Sequence, residues 1–182
     1  MLKRIVRVIS LLMYRSIGIR LPHSFWPGGR VFSGIRRLLL IGMGCRVGKG
    51  CELEPHIDVG FSPNLTIGDR CQINQNITIK TAIIGNDVMI APGTVFLDRF
   101  HNFNRIDIPM AQQGATERQM TVVEDDVWIG QNVIFMPGLK VSRGSVVGSG
   151  AVVTKDVIPY AVVAGVPAKI VRYRDGKSDE SI

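Results

Sequence analysis

The first 46 residues contain no aspartate or glutamate, although nine lysines and arginines stand among them. Residues 47–182 hold thirteen basic and fifteen acidic residues, so the net charge of +7 belongs to one end of the chain. Such an asymmetry points to a segment that meets an anionic surface. A duplex-binding domain would carry its charge on a folded face with a recognisable motif; none is present, and no nucleic-acid partner is expected. Long uncharged apolar runs are also missing. Arg7 interrupts the N-terminal one, which excludes a bilayer-spanning helix, and no small-x-small cleavage site follows it. Cysteine is scarce: Cys45, Cys51 and Cys71 form no CxxC pair, as expected of reduced thiols in a cytoplasmic protein. The three histidines, His23, His56 and His101, do not cluster with them, so no metal is expected. The Gly-x-Ser-x-Gly elbow, the Walker loop and the dinucleotide fingerprint are absent, which removes three common catalytic plans.

What the chain does have is a period of six. From Val123 to Ile158 an apolar residue opens every block: Val123, Ile129, Phe135, Val141, Val147 and Val153. Neither a helix nor a plain alternating strand predicts that spacing. It makes sense if short strands stack coil on coil, each lending one side chain to a continuous column. The same spacing begins at Val47, Leu53 and Val59, shifts phase at the insert 61–64, and resumes at Ile67, Ile73 and Ile79. Gly-Asp, Gly-Asn and Pro-Gly pairs supply the turns. At eighteen residues per coil, roughly five coils fit the length.

Three segments stand outside the repeat. Residues 1–20 read as a helix with Lys3, Arg7, Ser10, Tyr14 and Gly18 on one side and Ile5, Val8, Ile9, Leu12 and Ile19 on or near the other. This basic amphipathic helix lies in a membrane interface, or packs its apolar face against the body of the protein or across a subunit contact, and the two are compatible. After a turn-rich stretch, Ile35–Ile41 reads as a short helix or an early strand. The hexads then stop over residues 97–121, and a loop of that length in a compact domain is usually functional. It holds His101. The organisation expected is an N-terminal segment over 1–45, a repeat domain over 46–172 with the loop inserted, and a flexible tail over 173–182.

The hexads, the Phe-His-Asn-Phe loop, the Val-Trp-Ile-Gly segment and the Ala-Gly-Val-Pro-Ala-Lys ending together resemble the hexapeptide-repeat acyltransferases. Within them the chain is most similar to the sugar and polysaccharide O-acetyltransferases related to the maltose and galactoside enzymes. The resemblance covers about residues 47–172. It implies an all-β fold, a left-handed parallel β-helix, against the usual right-handed crossover. It implies a homotrimer with acetyl-CoA bound between subunits. By the same resemblance His101 matches the catalytic histidine, Asn74 an asparagine that contacts the acceptor, and Trp128 a tryptophan of the site wall. Gln131, Ser149, Thr154, Lys155, Lys169 and Arg172 fall where the family contacts the cofactor. Two departures matter. Lys80 and Thr81 stand where maltose-type enzymes carry an acidic residue, and the basic helix replaces their N-terminal segment. Both fit a membrane-associated glycan better than a free disaccharide.

The chemistry agrees with that assignment. Moving an acetyl group from a thioester to a hydroxyl needs a base, and a histidine is largely neutral at pH 7. Asp98, three residues before His101, is placed to orient the imidazole. The expected activity is CoA-dependent O-acetylation of a sugar hydroxyl in surface polysaccharide biosynthesis, in the cytoplasm, peripheral at the inner face of the membrane through residues 1–40. The alternatives are a small-molecule acetyltransferase of the serine or xenobiotic type and a non-catalytic membrane-docked scaffold.

Overall fold

The computed structural model describes residues 1–61 and 63–175. They form a parallel β-helix with three walls, capped at its N-terminal end by two helices. The first wall stacks Arg46–Val47, Asn64–Ile67, Thr81–Ile84, Thr121–Val123 and Lys140–Val141. The second stacks Glu52–Leu53, Gln72–Ile73, Met89–Ile90, Trp128–Ile129, Val146–Val147 and Ala161–Ala164, and the third Thr78–Ile79, Val95–Phe96, Ile134–Phe135 and Val152–Val153. All these pairings are parallel and in register, Ile73 on Ile90, Ile90 on Ile129 and Ile129 on Val147. The residue that opens each hexad faces inward, so Ile73, Ile90, Ile129 and Val147 form one buried column. The expected tail lies mostly outside the described residues. Its first residue, Tyr173, instead ends the strand Lys169–Tyr173, which pairs antiparallel with Ala161–Ala164 and covers the last coil.

Two of the three edges are regular. Between the first and second walls each coil turns through a residue with positive φ: Gly50, Arg70, Asp87, Asp126, Gly144 and Tyr160. Between the second and third walls His56, Asn76, Gly93, Asn132 and Gly150 do the same. Glycine, asparagine and aspartate tolerate that conformation, which is why they recur at these places. The third edge, from the third wall back to the first, absorbs the breaks in the sequence period. The insert after Val59, the short step at Lys80 and the long break after Phe96 all fall there. Below that break the core is aromatic, with Phe96 and Phe135 stacked at 4.7 Å.

The N-terminal cap follows from the first coil's open edge. A strand stack leaves the carbonyls of its bottom coil without partners, and buried carbonyls need donors. Helix α1 (Leu2–Ser16) and helix α2 (Gly29–Gly42) provide them. Tyr14 donates to Ile57 O at 2.8 Å, Arg37 to Gly48 O at 2.6 Å and Val47 O at 2.9 Å, and Arg36 to Leu53 O at 2.8 Å. Ser33 Oγ donates to Cys51 O and accepts from Leu53 N. Arg36 is wholly buried and also donates to Gly18 O, Leu21 O and Pro22 O, tying the interhelical segment to the cap. Of the two conformations open to Ile35–Ile41, the chain takes the helical one, since only a helix can aim Ser33, Arg36 and Arg37 at one coil.

The two helices therefore turn largely polar and small residues inward. Ser10 and Tyr14 of α1 are buried, as are Gly29, Ser33 and Arg36 of α2 together with the apolar Leu40. They meet closely: a side-chain carbon on Gly42 would lie 2.1 Å from Ser10 Oγ. The apolar side of α1 faces away from the protein, which answers against its packing on the body of its own chain. Replacing Arg36 by alanine would strand four carbonyls. We expect a loss of about 3 kcal/mol or more in urea unfolding, with the coil core, as read by far-UV circular dichroism, still able to form.

Candidate active site

The long break is an arm rooted on the third edge. Leu97 N donates to Phe135 O at 3.0 Å, which fixes its start, and Thr121 rejoins the first wall beside Ala82. Within the arm the chain doubles back: His101 bridges Ala115 antiparallel, Asn102 N donates to Gly114 O and Thr116 N to Phe100 O. His101 is exposed and its ring makes no hydrogen bond within the described residues. Asp98 does not reach it. The Asp98 carboxylate is largely buried and faces Arg118, with Oδ2 3.3 Å from Nε, so it holds the two ends of the arm together. The expectation that Asp98 orients the imidazole thus meets a different geometry. Arg118 was invisible in the sequence, because nothing there marks it as the partner of a residue twenty positions earlier. Phe100, Phe103, Ile106 and Met110 of the arm are exposed, and Ile106 touches nothing in its own chain to shield it.

Directly above the root of the arm lies a cavity of about 330 Å³. Met136 N donates to Val153 O, so Leu97, Met136 and Thr154 follow one another up this edge. Thr154, Lys155 and Lys169 line the cavity with Asp156, Pro167 and Ala168, and its floor is apolar. The segment 165–168 forms its roof, held by Ala168 N to Val152 O at 2.8 Å, with a cis peptide at Val166-Pro167. The structure thus brings together three of the six residues expected at a cofactor, and two of them are cations. Pro167 and Ala168, which shape the roof, belong to the Ala-Gly-Val-Pro-Ala-Lys ending. Arg172 lies further along the terminal strand, exposed, with its guanidinium on Tyr173 O. A cavity with an apolar floor and two ammonium groups fits an apolar chain that carries phosphates.

The remaining candidates stand elsewhere on the chain. Asn74, Gln131 and Ser149 occupy the second edge. Asn74 Nδ2 donates to Ile90 O at 2.9 Å, which leaves its amide oxygen facing out. Above it the same place in successive coils is held by the small residues Ala91, Gly130 and Gly148. Ser149 Oγ accepts from Gln131 N at 3.1 Å. Trp128 projects from the second wall, half exposed, between Met89 and Val146. His23 and His56 are structural: His23 Nδ1 lies 2.9 Å from the buried Glu54, and His56 is a corner residue. Among the described residues no group of His, Cys, Asp and Glu is placed to hold a metal ion.

The three-walled solenoid has counterparts. Residues 120–155 match the family described as bacterial transferase hexapeptide (six repeats). The galactoside O-acetyltransferase of Escherichia coli (strain K12) is 32% identical over 140 residues, 75% of this chain and 68% of that protein. The chain belongs to the hexapeptide-repeat acyltransferase family. A chloramphenicol acetyltransferase of Agrobacterium fabrum is 57% identical over 113 residues, which span 60% of this chain and 52% of that protein. A hexapeptide-repeat acetyltransferase of Vibrio cholerae O1 biovar eltor, solved with acetyl coenzyme A, superposes with a TM-score of 0.72 at 27% identity. That match covers 94% of this chain and 86% of the other.

Two of the three thiols are stacked at the first edge, apart from the other two edges, and Cys45 precedes the first wall. Cys51 and Cys71 occupy the same place in neighbouring coils. A hydrogen bond from Cys71 holds the Cys51 thiol down at about 6, whereas burial pushes Cys45 up to about 11. The thiolate is the reactive form. Alkylation of Cys51, followed by peptide mass spectrometry, is therefore expected to accelerate as pH rises through about 6 and to level off above it. Cys45 should stay unmodified at pH 8.

Proposed function

We propose that the protein moves an acetyl group from acetyl-CoA to a sugar hydroxyl, with His101 as the base. The observation that carries this reading is the third edge, where an unpaired histidine on an arm stands below a cavity lined by Thr154, Lys155 and Lys169. Lys155, Lys169 and Arg172 would hold the phosphates of the donor, and Thr154, Gln131 and Ser149 its polar groups. His101 takes the proton of the acceptor hydroxyl as that oxygen attacks the thioester carbonyl. Backbone N–H groups at a coil turn receive the oxyanion. His101 then returns its proton to the departing thiolate, so that the C–O bond replaces the C–S bond with no acyl-enzyme. Asn74 and Trp128 would contact the acceptor. They stand on another edge and another wall from the root of the arm, so a site containing all three draws on two copies of the chain. The exposed apolar side chains of the arm suit that contact. Both points support a homotrimer with the donor between subunits. The process we assign is surface polysaccharide biosynthesis, in the cytoplasm and peripheral at the inner face of the membrane.

The match to a chloramphenicol acetyltransferase favours a second reading, the same transfer to a small xenobiotic alcohol. Parallel assays with galactosides, an acidic oligosaccharide and chloramphenicol separate the two. In the accepted substrate's assay, His101→Ala should lower kcat/KM about 10²–10⁴-fold without moving the melting temperature. Lys155→Ala and Lys169→Ala should raise KM for acetyl-CoA at nearly constant kcat. Undiminished turnover in a folded His101→Ala protein would refute the role of this residue.

A further inference from the structure

Nothing among the described residues covers the outer face of the cap. Ser10, Tyr14, Ser33 and Arg36 are buried and Leu40 joins the core, with Leu11 and Leu39 packed against it, but most of the other apolar residues of the two helices face out. Leu2, Ile5, Ile9 and Leu12 of α1 and Val31 and Leu38 of α2 are all exposed, Leu12 at 63% and Leu38 at 65%. Phe25 and Trp26, between the helices, extend the patch at 77% and 57% exposure. So many exposed apolar side chains on two packed helices and their connection mark a binding surface. Lys3, Arg4 and Arg30 flank it, exposed, and none of the first 46 residues is acidic.

We propose that this face docks on an anionic lipid bilayer and that the β-helix stands upright on it. Charge decides between occupants. A second copy of the cap would set Lys3, Arg4 and Arg30 against the same cations with no acidic residue to pair them, whereas an anionic bilayer offers acyl chains to the apolar face and headgroups to its basic rim. No helix among the described residues is long and apolar enough to cross a membrane, so the helices lie in the interface. The cap bonds to the first coil through side chains of both helices, so it forms the base of the prism. The arm leaves two coils higher. One helix thickness and two coil rises place its root about 20 Å above the lipid surface. If the acetyltransferase reading holds, the acceptor met at that height is a glycan carried on the membrane by a lipid.

The test uses the full chain and vesicles of phosphatidylcholine with about 30% phosphatidylglycerol. The protein should float with them at low salt and bind at least tenfold more weakly at high salt or on phosphatidylcholine alone. Leu12→Glu with Leu38→Glu should abolish flotation; Lys3→Glu with Arg4→Glu should weaken it at least tenfold and serves if the first pair does not fold. The two tryptophans report orientation. With Trp128→Phe, the remaining Trp26 emission should shift to the blue and be quenched by brominated lipid. With Trp26→Phe, Trp128 on the fourth coil should not respond. Absence of flotation, flotation indifferent to all four charge substitutions, an unquenched Trp26 or a quenched Trp128 would each overturn the proposal. So would self-association in solution that the glutamate pair removes, which would make a second copy the occupant. Turnover of acetyl-CoA with a soluble acceptor should be unchanged in the glutamate variants, so loss of docking is read separately from loss of the enzyme reading.

Discussion

A stack of parallel coils satisfies its backbone everywhere except at its two ends, and most of what is unusual here follows from how the lower end is closed. The carbonyls of Val47, Gly48, Leu53 and Ile57 point at no further coil. Covering them takes donors, and the chain supplies Tyr14, Arg36 and Arg37 from two helices. A helix has only one face to give. In α1 the polar face is turned inward and the apolar face looks outward, the reverse of the ordinary amphipathic arrangement, whereas α2 lends Leu40 to the core beside its polar groups. The upper end is closed differently, by the antiparallel strand Lys169–Tyr173, whose preceding turn also roofs the cavity of Thr154 and Lys155.

The same economy explains where chemistry can be placed. Two edges are locked by a residue of positive φ in each successive coil, and a change of length at either would shift the inward column beneath it. The third edge has room to vary. Its insert near Gly60, its shortened step at Lys80 and its arm over residues 97–121 leave Ile67, Ile84 and Val123 in register all the same. An arm of this length can be added there without disturbing the core, on a scaffold stiff enough to hold it.

Much of this was legible in the sequence. The period of six names the inward residues from Val47 to Val153 correctly, because burial on a coil wall selects for apolar side chains one by one. The arm was legible as a break in that period, and the resemblance assigned its histidine. The sequence could not reveal that Asp98 turns to Arg118, because pairing across an arm depends on how its ends meet. It left α2 undecided, because Leu38–Ile41 is apolar enough for either element and the deciding groups, Ser33 and Arg36, act on carbonyls far along the chain. It left the direction of the apolar face of α1 open for the same reason. The grouping of Thr154, Lys155 and Lys169 rests on a terminal turn that folds back over the third wall, which no local pattern encodes.

The central claim is that the irregular third edge, completed by a neighbour's second edge, is where the donor binds and reacts. Hydrogen–deuterium exchange of the full chain with and without saturating acetyl-CoA tests it most directly. The account predicts slowed exchange in the turn 154–156, the roof 165–169 and the second-edge residues around Gln131 and Ser149, with the first-edge corners at Arg70, Asp87 and Asp126 unchanged. Protection confined to those first-edge corners, or no protection at saturation, would contradict it.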